Sequence, residues 1–191
     1  MNNANDIKNI KEIRAGDVSA FAQLIDRHQP MAFTLANSIV KNREEAEEVT
    51  QDAFFKAYKA LSSFKGNAEF STWLYRIVYN TAISKLRSHK VKSISLDVEE
   101  AKTNKDLVVS DDLKRLEQQE RKIILKKALK QLKEDDAFIV ILYYYKEQSI
   151  EEIADATGLG KSNIKVKLHR ARKQMHDTLK RLLEIEPSSL F

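Results

Sequence analysis

From Val18 to Val40 the apolar residues Phe21, Leu24, Ile25, Ala32, Leu35 and Ile39 recur every three or four positions. This period constrains the fold more than any other feature. It lays one apolar stripe along a helix and leaves no alternation that a half-buried strand would need. The same spacing returns at Leu113, Leu116, Ile124, Leu125, Leu129 and Leu132. Only four glycines and two prolines occur among 191 residues, so few positions can interrupt a helix. The expected fold is all-α.

The punctuation places the elements. A short helix is expected over 6–14. Gly16 suits the left-handed position that ends it, and Asp17 suits the N-cap of the next, over 18–40. A third helix is expected over 44–61. The stretch SSFKGNAEFS then breaks the pattern, and a fourth helix runs over 72–88. Residues 89–112 are polar and aperiodic, and read as a flexible linker, because so long a loop is unusual inside one compact domain. Beyond it the periods predict helices from Leu113 onward, over 135–145, over 149–156 and over 161–183, with Pro187 as a stop signal. The expectation is two small helical domains, 1–88 and 113–191, joined by 89–112.

Several functions are excluded at this level. There is no cysteine, hence no disulfide, no thiol nucleophile and no Cys-ligated zinc. His28, His89, His169 and His176 do not form a ligand set, and no paired carboxylates or nucleophile–base pair stand out. No cofactor, no metal and no catalytic site are expected. The N-terminal MNNANDIKNIKEIRAGD lacks the apolar core of a signal peptide, and AFIVILYYY is too short to span a bilayer. A cytoplasmic protein with no direct membrane insertion is expected.

The net charge of +5 permits a polyanionic partner. Its distribution is more informative. Residues 1–87 hold 12 basic and 10 acidic side chains, residues 88–115 hold 6 and 6, and residues 116–191 hold 15 and 12. Between Lys161 and Arg181 eight Lys or Arg face one acid, Asp177.

Within that basic segment, ATGLGKSN resembles the end of a phosphate-binding loop. The loop requires a glycine five positions before Gly160, but Asp155 stands there, and a helix rather than a strand precedes it. The segment reads instead as a helix-turn-helix. Ile150, Ile153 and Ala154 face inward, Gly158 takes the turn, and Leu159, Ile164 and Leu168 pack back. Asn163, Lys165, Val166, Lys167 and Arg170 are left outward on a basic helix whose N-terminal end is free to enter a major groove. The plain alternative is a helical hairpin with a solvated basic face.

The first half carries two further patterns. On helix 44–61, Ala46, Ala53, Ala57 and Leu61 point one way, while Glu48, Gln51, Asp52, Phe55 and Lys59 fall on another face. An aromatic ring in a polar frame suggests a protein contact, unless the N-terminal helix covers Phe55. The stretch FKGNAEFSTWLYRIVYN interleaves Phe64, Phe70, Trp73, Tyr75 and Tyr79 with Lys65 and Arg76. Single strands are held by that combination, rings for bases and cations for phosphates. Trp73 shares a stripe with Ile77 and Ile83, so it reads as core or as a stacking platform, while Leu74, Ile77 and Val78 read as core.

IEEIADATGLGKSNIKVKLHRARKQM resembles the promoter −35-binding helix-turn-helix of bacterial sigma factors, and LHRAR is similar to the extracytoplasmic-function (ECF, group 4) type. GDVSAFAQLIDRHQPMAFTLANSIVKNREEAEEVTQDAFFKAY resembles the family's core-polymerase-binding helices, and FSTWLYRIVYNTAISKLR its −10 helix. The resemblance covers about 17–185. It implies a protein that is not itself an enzyme but binds core RNA polymerase and directs promoter-specific initiation. It implies contact with the polymerase β′ clamp helices through Glu48, Gln51, Asp52 and Phe55. For the opened −10 element it implies Lys65, Asn67, Phe70, Ser71, Arg76 and Asn80. For the −35 duplex it implies base reading by Ser162, Asn163, Lys165 and Val166, with phosphates held by Lys165, Lys167, Arg170, Arg172 and Lys173. An anti-sigma factor is a further implied partner, and a free sigma factor commonly hides its DNA surfaces. Ser84 replaces an acid frequent in the family, and Ser162 to Lys167 departs from the usual recognition-helix pattern, so base preference does not transfer. The competing readings are a helix-turn-helix regulator acting without polymerase, and a protein-binding helical adaptor.

Overall fold

The computed structural model describes residues 2–93 and 113–185, and every element among them is helical. The first half contains α1 (Asn2–Arg14), α2 (Ser19–Val40), α3 (Arg43–Ala60) with a 3-10 turn at Leu61–Ser63, and α4 (Phe70–Ser93). The second contains α5 (Leu113–Lys130), α6 (Glu134–Val140), α7 (Ile150–Thr157) and α8 (Lys161–Ile185).

Local chemistry sets these boundaries. Gly16 takes φ +104°, and Asp17 Oδ1 accepts from the Ser19 amide at 2.9 Å, closing the turn into α2. Hydrogen bonds from Ser19 hold the Asp17 carboxyl below its ordinary value. Lys41 ends α2 in the left-handed conformation at φ 58°, and Asn42 caps α3 by accepting from the Glu45 amide at 2.9 Å. Glu44 and Glu45 lie in that first turn, where carboxylates favour the helix dipole. Ser149 and Glu152 form a reciprocal capping box on α7, and Gly158 ends it at φ 73°.

In the first half, Leu24, Leu35 and Ile39 of α2 meet Ala46, Ala53 and Ala57 of α3 and Leu74 and Val78 of α4 in one core. Small side chains on α3 let its neighbours approach closely. The α1 helix is attached differently. Besides Ile10, it buries Asp6 and Asn9. Asp6 is ion-paired to Arg27 and lies 2.9 Å from His28 Nε2. Asn9 Nδ2 donates to Ala20 O at 3.4 Å and to Gln23 Oε1 at 3.3 Å.

In the second half, α5 and α6 pack on α8, and Phe138, Ile139 and Leu142 are fully buried. The helix expected over 135–145 is α-helical only to Val140. It widens into a π-helical turn over Ile141–Tyr145, where the Lys146 amide reaches back to Ile141 O, and Glu147 follows at φ 53°. The widened turn leaves Tyr143, Tyr144 and Tyr145 exposed while Ile141 and Leu142 stay inside.

The linker expected at 89–112 begins later, because α4 runs unbroken to Ser93. The remainder of that linker, 94–112, and Pro187 lie outside the described residues. The two halves are in contact: α7 lies on α4 and α6 on α2. Tyr79 donates to Asp135 Oδ1 at 2.9 Å and packs its ring, tilted by 57°, against Phe138 at 5.0 Å, and Lys41 Nζ donates to Leu132 O at 2.8 Å. Gln148 Nε2 donates to Thr72 Oγ1 at 3.1 Å, leaving Gln148 Oε1 buried without a protein partner.

Candidate functional site

Three surfaces gather the residues singled out in the sequence. The first is the start of α8. Ile164, Leu168 and Ala171 turn into the core, so Ser162, Asn163, Lys165 and Val166 point outward by the 100° step. Val166 is 63% exposed, an apolar side chain standing alone among polar ones. Across the turn, Lys161 Nζ meets Glu151 Oε1 at 2.7 Å, which holds the Glu151 carboxyl below its ordinary value. Arg172 and Lys173 are exposed further along.

Two residues expected outward are not free. Lys167 lies at the edge of the buried stripe, with Nζ 3.2 Å from Asp135 Oδ2 and from Asp136 Oδ1. The Arg170 guanidinium clasps Asp136, with Nη2 at 3.0 Å from Oδ1 and 2.6 Å from Oδ2 and Nε at 3.1 Å from Oδ2. Asp136 is completely buried, and a carboxylate removed from water requires such partners. Both basic side chains are drawn toward α6 for that reason, although Arg170 keeps about half its surface in solvent. The acid pair at the head of an apolar run, DDAFIVIL, was the sequence signal for this arrangement.

The second surface is the loop between the 3-10 turn and α4. It runs from Phe64 to Phe70, both buried, and displays Lys65, Asn67 and Glu69 outward, with Gly66 at φ +74°. Phe70 was expected to face DNA, but the structure corrects this. Its ring is fully buried, 5.3 Å from His28, 5.9 Å from Phe64 and 5.7 Å from Trp73, so it offers no face to a base. Trp73 is half-buried in the same cluster. Ser71 is half-buried, and its hydroxyl donates to Glu69 Oε2 at 3.2 Å. Arg76 and Asn80 are exposed one turn apart on α4. Tyr75 and Tyr79 are buried, and burial raises both phenol pKa values, with the Asp135 hydrogen bond adding to the shift at Tyr79.

The third surface is the outer edge of α3. Phe55 is 58% exposed, so the N-terminal helix does not cover it, and Lys59 Nζ sits 4.1 Å above its ring. Gln51 and Asp52 are exposed beside it. Glu48 is committed to α4, where both carboxylate oxygens hold Lys85 Nζ at 2.7 Å, a contact that lowers the Glu48 pKa. Next to Phe55 an apolar groove of about 510 Å³ runs between α2 and α3, lined by Val18, Phe21, Ile25, Gln29, Thr50, Gln51, Phe54, Phe55 and Tyr58. Phe21 and Ile25 in its wall were expected only as part of an apolar stripe, and Gln29 and Tyr58 had not been singled out. Val18 and Tyr58 are exposed apolar residues, and only the helix packing shows that they border Phe55.

Among the described residues no group of three or more His, Asp or Glu is placed to hold a metal ion, and no helix is long and apolar enough to cross a membrane.

Known proteins share this arrangement. The family model of Sigma-70 region 2 matches residues 24–91, and that of Sigma-70 region 4 matches residues 122–175. The ECF RNA polymerase sigma factor SigW of Bacillus subtilis (strain 168) is 33% identical over 190 residues, spanning 92% of this chain and 97% of that protein. The ECF RNA polymerase sigma-E factor of Escherichia coli (strain K12) is 39% identical over 90 residues, 47% of each chain. The sigma factor RpoE from Bartonella quintana, solved in complex with the anti-sigma factor NepR, superposes with a TM-score of 0.67 at 26% identity, covering 85% of this chain and 98% of that one. CnrH, solved with the cytosolic domain of CnrY, has the same fold at a TM-score of 0.61 and 23% identity over 95% of this chain and 99% of that one. With region 2 spanning α2 to α4, region 4 spanning α5 to α8, and likeness along nearly its whole length, the chain belongs to the ECF group of the sigma-70 family.

Proposed function

We propose that the protein is an ECF sigma factor that attaches to core RNA polymerase by the exposed edge of α3 and selects promoters by contacts at two DNA elements. The observation that carries this reading is the Phe55 edge. A 58%-exposed ring framed by Gln51 and Asp52 and bordered by an apolar groove has the composition of a protein contact. A regulator that only bound duplex DNA would have no need of it. The domain boundaries that fit are a polymerase- and −10-binding unit ending with α4 at Ser93, and a −35-binding unit from Leu113 onward. The polymerase forms the phosphodiester bonds, and this chain performs no bond chemistry of its own. Its place is the cytoplasm, with the polymerase.

At the −35 element, Ser162, Asn163, Lys165 and Val166 meet base edges from the N-terminal end of α8. Asn is able to read adenine, Lys guanine, and Val a thymine methyl, and the base at each position is left to the promoter motif. Arg172 and Lys173 take phosphates, joined by the exposed half of Arg170. Lys167, held by Asp135 and Asp136, serves the fold first. At the −10 element, Lys65 and Asn67 in the loop and Arg76 and Asn80 on α4 meet the opened strand, with Ser71 at the loop's end. Phe70 has no part in this contact. Because the structural relatives RpoE and CnrH were solved with NepR and with the cytosolic domain of CnrY, an anti-sigma protein is proposed as the third partner.

Run-off transcription with sigma-free core polymerase over a genomic promoter library tests the reading. Initiation from one shared two-element motif is expected. Salt-sensitive duplex binding by the protein alone, with no initiation, would favour the regulator instead. Lys165→Ala is expected to weaken initiation through the −35 element and leave polymerase affinity intact. Equal loss of both would remove α8 from the promoter contact.

A further inference from the structure

We infer that α1 braces the strand-reading loop and that Arg14 is a positioning residue for promoter opening. The inference rests on the −10 role proposed for residues 65–69.

That loop hangs between two buried rings, Phe64 and Phe70, and α1 governs both. At the first stem, Arg14 Nη2 donates to Leu61 O at 3.0 Å and to Phe64 O at 2.5 Å. These carbonyls lie just past the end of α3, at the 3-10 turn, where Leu61 O also accepts from the Phe64 amide at 3.2 Å. A single guanidinium bridging them fixes how the chain leaves the helix. At the second stem, Asp6 holds His28 at 2.9 Å, and the His28 ring lies 5.3 Å from Phe70. One helix of 13 residues therefore holds the first end of the loop directly and the second through His28 of α2.

The kind of attachment is as telling as its place. An apolar face allows a helix to slide or rotate with little loss. The α1 helix adds to its apolar anchors Ile10 and Ile13 three directional polar side chains, Asp6, Asn9 and Arg14, and leaves Ile7 exposed. Charge-assisted hydrogen bonds fix both register and angle. A loop set in advance loses less freedom when it captures an unstacked base, so capture is favoured. This advantage acts when the duplex must be opened and is bypassed on DNA already melted.

The test uses holoenzyme assembled from core polymerase and the full chain. Opening is read from 2-aminopurine placed in the −10 element of a duplex promoter, with run-off from a premelted template in parallel. Arg14→Ala removes two charge-assisted hydrogen bonds and is expected to lower duplex opening about tenfold. Its core affinity and premelted run-off should stay near wild type, while its thermal midpoint falls by a few degrees with the lost hydrogen bonds. Arg14→Lys keeps the charge but not the fork, and should fall between the two. Normal duplex opening by Arg14→Ala would overturn the brace, as would parallel loss of core binding and premelted run-off. Lys65→Ala with Asn67→Ala separates the two layers. If that variant opens the promoter normally, the loop's role at the −10 element fails and the brace with it. If it loses opening while Arg14→Ala does not, only the brace fails.

Discussion

Among the described residues, each half of the molecule buries one aspartate and surrounds it with two basic side chains, but to different ends. In the first half, Asp6 meets Arg27 and His28, whose side chains are themselves 23% and 7% exposed. The cluster is closed and its product is geometry, the seating of α1 on α2. In the second, Asp136 meets Lys167 and Arg170, and both belong to the helix proposed to meet DNA. That cluster is open, since Arg170 keeps 48% of its side chain in solvent. One electrostatic requirement, that a buried carboxylate have partners, is scaffold in one place. In the other it partitions positive charge, assigning Lys167 to the fold and leaving Lys165, Arg172 and Lys173 for a polyanion.

The contrast can be broken most forcefully at Asp136. Asp136→Ala deprives two cations of a buried partner and should cost the second half about 3 kcal/mol, the lower end of such losses because Arg170 can rehydrate. Urea unfolding followed by hydrogen exchange at α8 amides measures it, and an unchanged midpoint would dismiss the cluster as a stabilising element. Asp6→Asn keeps shape and one acceptor, so about 1–2 kcal/mol is expected. The loss should be local to α1, seen as faster exchange of its amides before the rest of the first half. Ser149→Ala and Asn42→Ala remove one helix cap from each half. Each should cost about 1 kcal/mol, and a clear inequality would show that the halves do not share stability evenly.

The smallest effect concerns pH. Burial is the leading influence on His28 and lowers its pKa, outweighing the opposing pull of nearby Asp6, while Arg27 and Lys146 lower it further. The imidazole is therefore neutral in the fold and donates a hydrogen bond to the carboxylate. The unfolded chain takes up the proton first, so stability falls as pH drops below the ordinary value of 6.5. The sole tryptophan, Trp73, sits in the ring cluster that includes Phe70, which His28 touches, and reports this directly. His28→Gln should flatten the acid limb of a Trp73-monitored melt.

The sequence was most readable where one element decided the outcome. The periods located each described helix, though α4 runs five residues past its expected end and α6 gives way to the π turn at Ile141; Gly16 and Gly158 took the left-handed turns assigned to them, and the exposure of Phe55 followed from its place on one helix face. Legibility failed where a second element decides. Phe55 and Phe70 are both aromatic residues in polar company, and nothing local distinguishes them. What buries Phe70 is His28 of α2 and Phe64 across the loop. Lys167 and Arg170 look like their basic neighbours until Asp136 of α6 is placed beside them. The π turn arises where an apolar run must keep Ile141 and Leu142 inside while three tyrosines stay out. The meeting of the two halves through Tyr79, Asp135 and Gln148 joins positions too far apart for any period to relate.

Ala46, Ala53 and Ala57 are fully buried along one side of α3, while Phe55 lies on the other. An added methyl group on the inner side would push α2 or α4 away and tilt the outer edge with it. In a saturation-mutagenesis library selected for binding to core polymerase, these three columns should be almost empty, and those of Lys65, Asn67, Asn163 and Val166 well filled. Lineages descending from such a chain can vary freely in the DNA they prefer while inheriting nearly unchanged the edge proposed to join them to the polymerase.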